Sequence, residues 1–204
     1  SLLVTSGPPD SSLQLWHVSA EDSDVIKPVS AIVTEDGTGQ PWAKIATSSA
    51  KASWVLHGSR LNNIQITEVE SRKNVYRAAP SSSEELSCLT FLDCSTLLLC
   101  CSTGQLCLAD TRQPGGPWEA APAPPAQQGQ HWCMALGHRA LGSASSCQPV
   151  ALLSSGGHLP LTDARQPSQA LASLRCRVPC AAAGAEFLCV SWAPALEGCL
   201  AVSG

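Results

Sequence analysis

The side chains that could do chemistry in this sequence are eleven cysteines and five histidines, with one compact run, Ser154-Ser155-Gly156-Gly157-His158, that sets hydroxyls beside an imidazole. A nucleophilic serine needs a base in reach, an orienting acid and an oxyanion hole. The run offers none of the local signs: there is no G-x-S-x-G elbow, and its two glycines suit a hairpin tip. A structural zinc site needs paired ligands at short, regular spacing. No C-x-x-C occurs, the nearest spacing is Cys176-x-x-x-Cys180, and His131-Trp132-Cys133 and His138 would need further ligands from elsewhere. Gly115-Gly116-Pro117 lacks the lysine and helix start of a phosphate cradle. The sequence therefore assigns no catalytic, cofactor-binding or metal-ligating residue and implies no cofactor, and it does not identify which residues contact a partner.

The cysteines read instead as packing atoms. Their number is odd, no N-x-Ser/Thr acceptor is present, and Cys94, Cys100, Cys101, Cys107, Cys189 and Cys199 sit in or beside apolar runs. Cysteine used in this way is a small buried hydrophobe of a reducing compartment, which predicts a cytosolic or nuclear protein. Sixteen acids against twelve bases give a net charge of −4, and the bases are scattered, with Arg72-Lys73 and Arg175/Arg177 the densest groups. Direct nucleic-acid binding is disfavoured, because it needs a basic stripe. The apolar runs, such as Leu97 to Cys101, fall far short of the roughly 20 residues of a membrane span. The chain opens at Ser1 without a methionine or a signal-like segment, which reads as a truncated front.

Positioning depends on a unit that recurs four times: an apolar run closed by small residues, a tight turn, then an alternating run ending in a polar residue. Its copies are Leu2 to Gly7 with Leu13 to Trp16, Trp54 to Gly58 with Ile64 to Thr67, Leu97 to Ser102 with Leu106 to Asp110, and Val150 to Ser155 with Leu159 to Asp163. The last two share more than patterning, since Asp110-Thr111-Arg112-Gln113-Pro114 answers to Asp163-Ala164-Arg165-Gln166-Pro167. Leu13, Ile64, Leu106 and Leu159 recur at spacings of 51, 42 and 53, the period of propeller blades with loop insertions.

Each unit predicts an antiparallel hairpin. A strand is expected before each of the later hairpins, at Ala43 to Thr47, Leu86 to Leu92 and Trp132 to Leu136, with another opening a last unit at Leu188 to Trp192. A more polar strand should come after each hairpin, at Val29 to Thr34, Asn74 to Arg77, Trp118 to Ala120 and Ala170 to Arg175. The expected fold is all-β: a partial propeller of about four blades, each a four-stranded antiparallel sheet, in an incomplete ring. The boundaries are 1–40 for a partial blade, 41–83 and 84–126 for two blades, the second ending in a Pro/Ala-rich loop, 127–185 for a fourth and 186–204 for a truncated one. With open edges at both ends, the piece is expected to fold poorly by itself. Trp16, Trp54, Trp132 and Trp192 should lie in blade cores, whereas Trp42 and Trp118, beside Pro and Gly, are the exposed candidates. The acidic runs Glu21-Asp22-Ser23-Asp24 and Ser81-Ser82-Ser83-Glu84-Glu85 read as solvated connectors.

The ordered segments Leu2-Leu3-Val4-Thr5-Ser6-Gly7, Leu13-Gln14-Leu15-Trp16, Glu21 to Lys27, Leu56-His57-Gly58, Arg60-Leu61, Glu70-Ser71-Arg72-Lys73, Ser83 to Ser87, Asp110-Thr111-Arg112-Gln113 and Trp192-Ala193-Pro194 closely resemble the middle of one branch of the WD-repeat β-propeller family. That resemblance implies a cytoplasmic, non-enzymatic scaffold for protein-protein interaction. It further implies association with spindle poles and the cleavage furrow in mitosis, and a role as assembly factor holding the endonuclease heterodimer of the Integrator complex, so that the implied partners are those subunits and spindle or microtubule components. The sequence departs from the family's habits. Its closest approaches to a terminal Trp-Asp are Trp16-His17, Thr67-Glu68, Ala109-Asp110 and Thr162-Asp163, and Gly137-His138 is its Gly-His pair outside the hairpin tips. The family's Asp-His-Ser/Thr-Trp network cannot be completed in any blade, so stability must lean on apolar packing. The alternative function is a hydrolase or lyase with a site in the central channel, which requires clustered acids or histidines on the innermost strands; those strands carry Leu, Cys and Ser instead. A third reading, a secreted disulfide module, would show as cysteines protected from alkylation without reductant.

Overall fold

The computed structural model describes residues 2–7, 10–19, 26–33, 42–48, 50–79, 82–113, 118–121, 124, 130–137, 147–176, 186–187, 189–194, 196 and 198–204. Every sheet in it is an antiparallel meander in chain order. Strands β1 (Leu2–Gly7), β2 (Asp10–Val18) and β3 (Ile26–Ile32) form the first. The second is β4 (Lys44–Thr47), β5 (Trp54–Gly58), β6 (Gln65–Glu68) and β7 (Lys73–Arg77). The third is β8 (Leu86–Phe91), β9 (Thr96–Cys101), β10 (Leu106–Asp110) and β11 (Glu119–Ala120). The fourth is β12 (Trp132–Leu136), β13 (Pro149–Ser154), β14 (His158–Asp163) and β15 (Gln166–Arg175), and β16 (Cys189–Trp192) pairs with β17 (Leu200–Ser203). The described sheets do not close on one another, so the fold is all-β and a partial propeller.

The blades are held by what lies between them. Alternation sends successive side chains of a strand to opposite faces, and each face of a central blade meets a neighbour. That explains why β9 reads Thr-Leu-Leu-Leu-Cys-Cys without alternating: Leu97, Leu99 and Cys101 pack toward the second blade, Leu98 and Cys100 toward the fourth. All five are fully buried, and each leucine contributes about 1.5–3 kcal/mol of apolar burial. A similar core between the fourth and fifth sheets joins Ala151, Leu153, Leu159 and Val190. A thinner one joins Leu13 of the first sheet to Ala43 and Val55 of the second. The expectation that cysteine serves as a core hydrophobe is met at Cys100, Cys101 and Cys107 and corrected at Cys94, Cys189 and Cys199, which are exposed.

Local differences from the sequence reading have identifiable causes. The β5–β6 connection is not a tight turn. It carries a single 3₁₀ turn, Leu61–Asn63, because Leu61 is drawn into the core beside Ile64. Asn63 closes the turn: its Oδ1 accepts the N–H groups of Ser59 at 2.9 Å and Arg60 at 2.8 Å. Strand β15 begins at Gln166, earlier than expected, because the Asp163 carboxylate accepts the Arg165 N–H at 3.0 Å and reverses the chain at once. Strand β3 starts at Ile26 and β7 at Lys73, each earlier than expected. Trp118 corrects the exposure reading: it is half-buried against the core between the second and third blades. Trp42 is 44% exposed, as expected. Leu188, Thr34, His138 and residues 114–117, 122–123 and 125–129 of the Pro/Ala-rich stretch lie outside the described residues.

Candidate binding face

Turns between second and third strands lie beside the segments that lead into the first strands, and hydrogen bonds pin one to the other. At the second and third blades, Leu61 N–H donates to Glu84 O, Leu86 N–H to Ser59 O and Ser102 N–H to Glu85 O, each at 2.9 Å. Arg60 adds a guanidinium donor to Ser83 O at 3.1 Å. At the fourth blade, Ser155 N–H donates to His131 O at 2.8 Å, and Phe187 N–H donates to Ser155 O at 3.0 Å. Loops of this kind are ordinarily the mobile part of a fold. Here each is stitched to its neighbour, so the face they build is preorganised.

That face carries a hollow of about 170 Å³ lined by His131, Trp132, Cys133, Ser155, Glu186 and Phe187. It is smaller than the roughly 300 Å³ lower bound of ordinary small-molecule pockets, and its size and mixed lining suit a single inserted side chain of a partner. Its floor is fixed by glycine. Gly104 (φ +85°) lies so close under the Trp132 ring that a Cβ there would stand 2.8 Å from it, and Gly157 (φ +81°) meets Phe187 the same way at 2.7 Å. Trp132 is 2% exposed and takes His158 edge-on at 5.9 Å. Among the described residues no acceptor reaches its indole N–H.

The Ser154–His158 run is a hairpin tip. Gly157 N–H closes the turn on Ser154 O at 2.9 Å, and the Ser154 hydroxyl accepts the His158 backbone N–H at 3.0 Å. The His158 ring pairs with the Ser173 hydroxyl at 2.9 Å, not with either serine of the run. First strands of successive blades lie side by side. They carry Cys88, Cys133 and Cys189, with Lys44 near Cys88. Burial pushes Cys133 up to about 11 and raises Cys88 as well, so both are neutral thiols and weak nucleophiles near neutrality. No Asp, Glu or His occurs within these strands to activate them. Among the described residues no group of three His, Cys, Asp or Glu is placed to hold a metal ion, and no helix is long and apolar enough to cross a membrane.

His57 is the polar core residue that sequence reasoning missed. It is 2% exposed, its Nε2 lies 2.9 Å from the Thr67 hydroxyl, and burial lowers its pKa to about 4. It stands inside Val-Leu-His-Gly on β5, and only that apolar setting could have signalled its burial.

Comparison with known proteins extends these observations. No family model matches the chain. The Integrator complex assembly factor WDR73 of Homo sapiens is 44% identical over 203 residues, with 100% of this chain and 53% of that protein covered. Its Xenopus laevis counterpart is 39% identical (100% and 54%) and that of Mus musculus 38% (100% and 54%). The chain thus spans about half the length of the curated relatives it matches. Among solved structures, the β-propeller domain of Myceliophteria thermophila Cps50 (Swd1) superposes with a TM-score of 0.61 at 12% identity, covering 86% of this chain and 52% of that one. The superposition shows the propeller fold, and identity along the whole chain makes it similar to about half the length of WD repeat-containing protein 73 from four species.

Proposed function

We propose that the chain is a non-enzymatic scaffold whose loop face seats protein partners, and that it acts in assembling the Integrator complex. The observation that carries the reading is the stitched face itself. Turns pinned across blade boundaries lose little freedom on binding, so several small contacts add with little ordering cost. Identity to Integrator complex assembly factors along the whole chain supports that choice of partner, and the resemblance narrows it to the endonuclease heterodimer before nuclear import. A cytoplasmic location, and a further association with spindle poles and the cleavage furrow, belong to the same proposal.

The test is co-purification from cells with the intact, tagged protein. Integrator endonuclease subunits should be recovered, and Phe187→Ala together with Glu186→Arg should deplete them while leaving the far-ultraviolet circular dichroism unchanged. Recovery of neither Integrator nor spindle components would count decisively against the scaffold reading. Full recovery with the double variant would move the contact away from this hollow.

A further inference from the structure

The hollow beside Phe187 has two unlike halves. Trp132 turns its ring toward the third blade, into the core with Leu98 and Leu106. Its chain neighbour Cys133 must then face the other way, where it packs with Phe187 and Val190 against the fifth sheet. The inner wall is therefore a neutral thiol and an aromatic ring, with the ring seated directly on Gly157. The mouth differs in kind. Glu186, next to Phe187 in the chain, is exposed, and no lysine or arginine lines the hollow. Among the described residues Glu186 takes part in no ion pair. On the remaining side the Ser155 hydroxyl accepts the His131 N–H at 3.3 Å and keeps a lone pair for one more donor.

Those walls discriminate between occupants. An anionic side chain would meet the Glu186 carboxylate with no lysine or arginine to offset it. An apolar one would cover that carboxylate and strip its water without giving a partner in return. A basic side chain satisfies both halves: its stem of about three or four methylenes lies on Cys133 and Phe187, and its head meets the ring and the carboxylate together. The surrounding face has the same sign. Glu84 and Glu85, on the connection into β8, are exposed and outside any ion pair among the described residues, while the Arg60 guanidinium is engaged by Ser83 O. Resting on the scaffold reading of this face, we infer that the hollow is a receptor for one basic side chain, arginine or lysine, presented by a protein partner, with Glu186 as its counter-charge and Phe187 as its wall.

The intact protein can be titrated with Nα-acetyl-arginine amide, Nα-acetyl-lysine amide and the neutral near-isostere Nα-acetyl-citrulline amide while the backbone amide resonances of Ser155 and Phe187 are followed. Both basic probes should move them saturably, arginine at the lower concentration because a planar guanidinium stacks and pairs at once. Citrulline should bind roughly tenfold more weakly, and Glu186→Gln should bring arginine down to the citrulline level. Because Glu186 is exposed, the thermal transition of that variant should match the parent's. In co-purification from cells, Glu186→Gln should lower recovery of the endonuclease subunits by roughly tenfold at low salt and flatten the salt dependence seen with the parent. A hollow that takes citrulline as readily as arginine, or takes neither, overturns the inference. So does a partner lost with Phe187→Ala yet recovered in full, at unchanged salt dependence, with Glu186→Gln, a result that leaves the scaffold reading standing. Absence of the subunits from the parent preparation counts instead against the scaffold reading, and the titration still decides which side chain the hollow accepts.

Discussion

His57 carries the clearest single-residue consequence of this packing. Its imidazole is buried and meets one hydroxyl, Thr67, and desolvation alone lowers its pKa. Burial without a counter-charge disfavours the cation, hence a pKa near 4 in place of 6.5. The unfolded chain then binds the extra proton between those two values, so stability is full above pH 6.5 and falls as pH drops toward 4. The loss is on the order of 3 kcal/mol at most. Chemical denaturation at pH 7.5, 6, 5 and 4 should therefore show a midpoint that declines in this window, and the decline should shrink in a His57→Gln protein. An undiminished slope in that variant would assign the acid sensitivity to other groups. The pair His57–Thr67 also shows how this blade departs from the family's Asp-His-Ser/Thr-Trp network: it keeps one buried imidazole-to-hydroxyl bond, on the face of the sheet opposite Leu56 and Ile66.

At the scale of elements, the turns decide which strands form and how tightly blades meet. The β9–β10 turn places Gly104 at φ +85° with the Trp132 ring of the next blade against it, whereas Gly198, at φ +71°, faces open space. A left-handed conformation costs a non-glycine residue about 1–2 kcal/mol. Gly198→Ala should lower the melting temperature by that strain alone, and Gly104→Ala by clearly more, because its methyl must also displace the ring. Equal shifts would mean that the indole yields freely and does not weld the two blades. The hairpins are legible in the sequence because glycine and alternation fall at fixed offsets, and the duplicated Asp-x-Arg-Gln-Pro segment is the same turn twice: Asp110 and Asp163 each accept the N–H two residues on, at 2.9 and 3.0 Å. The outer strand beyond each of these two turns is harder to read. Pro114, Pro117 and Pro122 cannot donate to a ladder, so β11 is confined to Glu119–Ala120, whereas the lone Pro167 leaves β15 free to run to Arg175. The hollow beside Phe187 is not legible at all, because its six residues come from three separate stretches of chain, and only the register of neighbouring blades brings them together.

For the molecule as a whole, stability is a sum over blade-to-blade cores, as in other quasi-linear repeat structures where each unit contacts only its neighbours. Those cores differ in depth. Between the second and third blades and between the third and fourth they include fully buried leucines from β9 on both faces. Among the described residues, the core between the first and second blades encloses Leu13, Ala43 and Val55, while Leu3, Ile26, Val29 and Val33 of the first blade remain exposed. The β16–β17 pair contributes Val190 to a shared core and leaves Leu196 and Val202 open. Opening free energy tracks local burial, so in the 204-residue chain amide exchange should be graded along the sequence. Protection should be greatest in β5, β9 and β13, and lower in β1–β3 and β16–β17. A Leu99→Ala cavity, which costs about 2–5 kcal/mol, should speed exchange in the second and third blades together, because one core serves both, and leave β16–β17 as it was. Uniform protection across all five sheets, or acceleration spread equally to β16–β17, would show a single cooperative body in place of a chain of neighbour contacts.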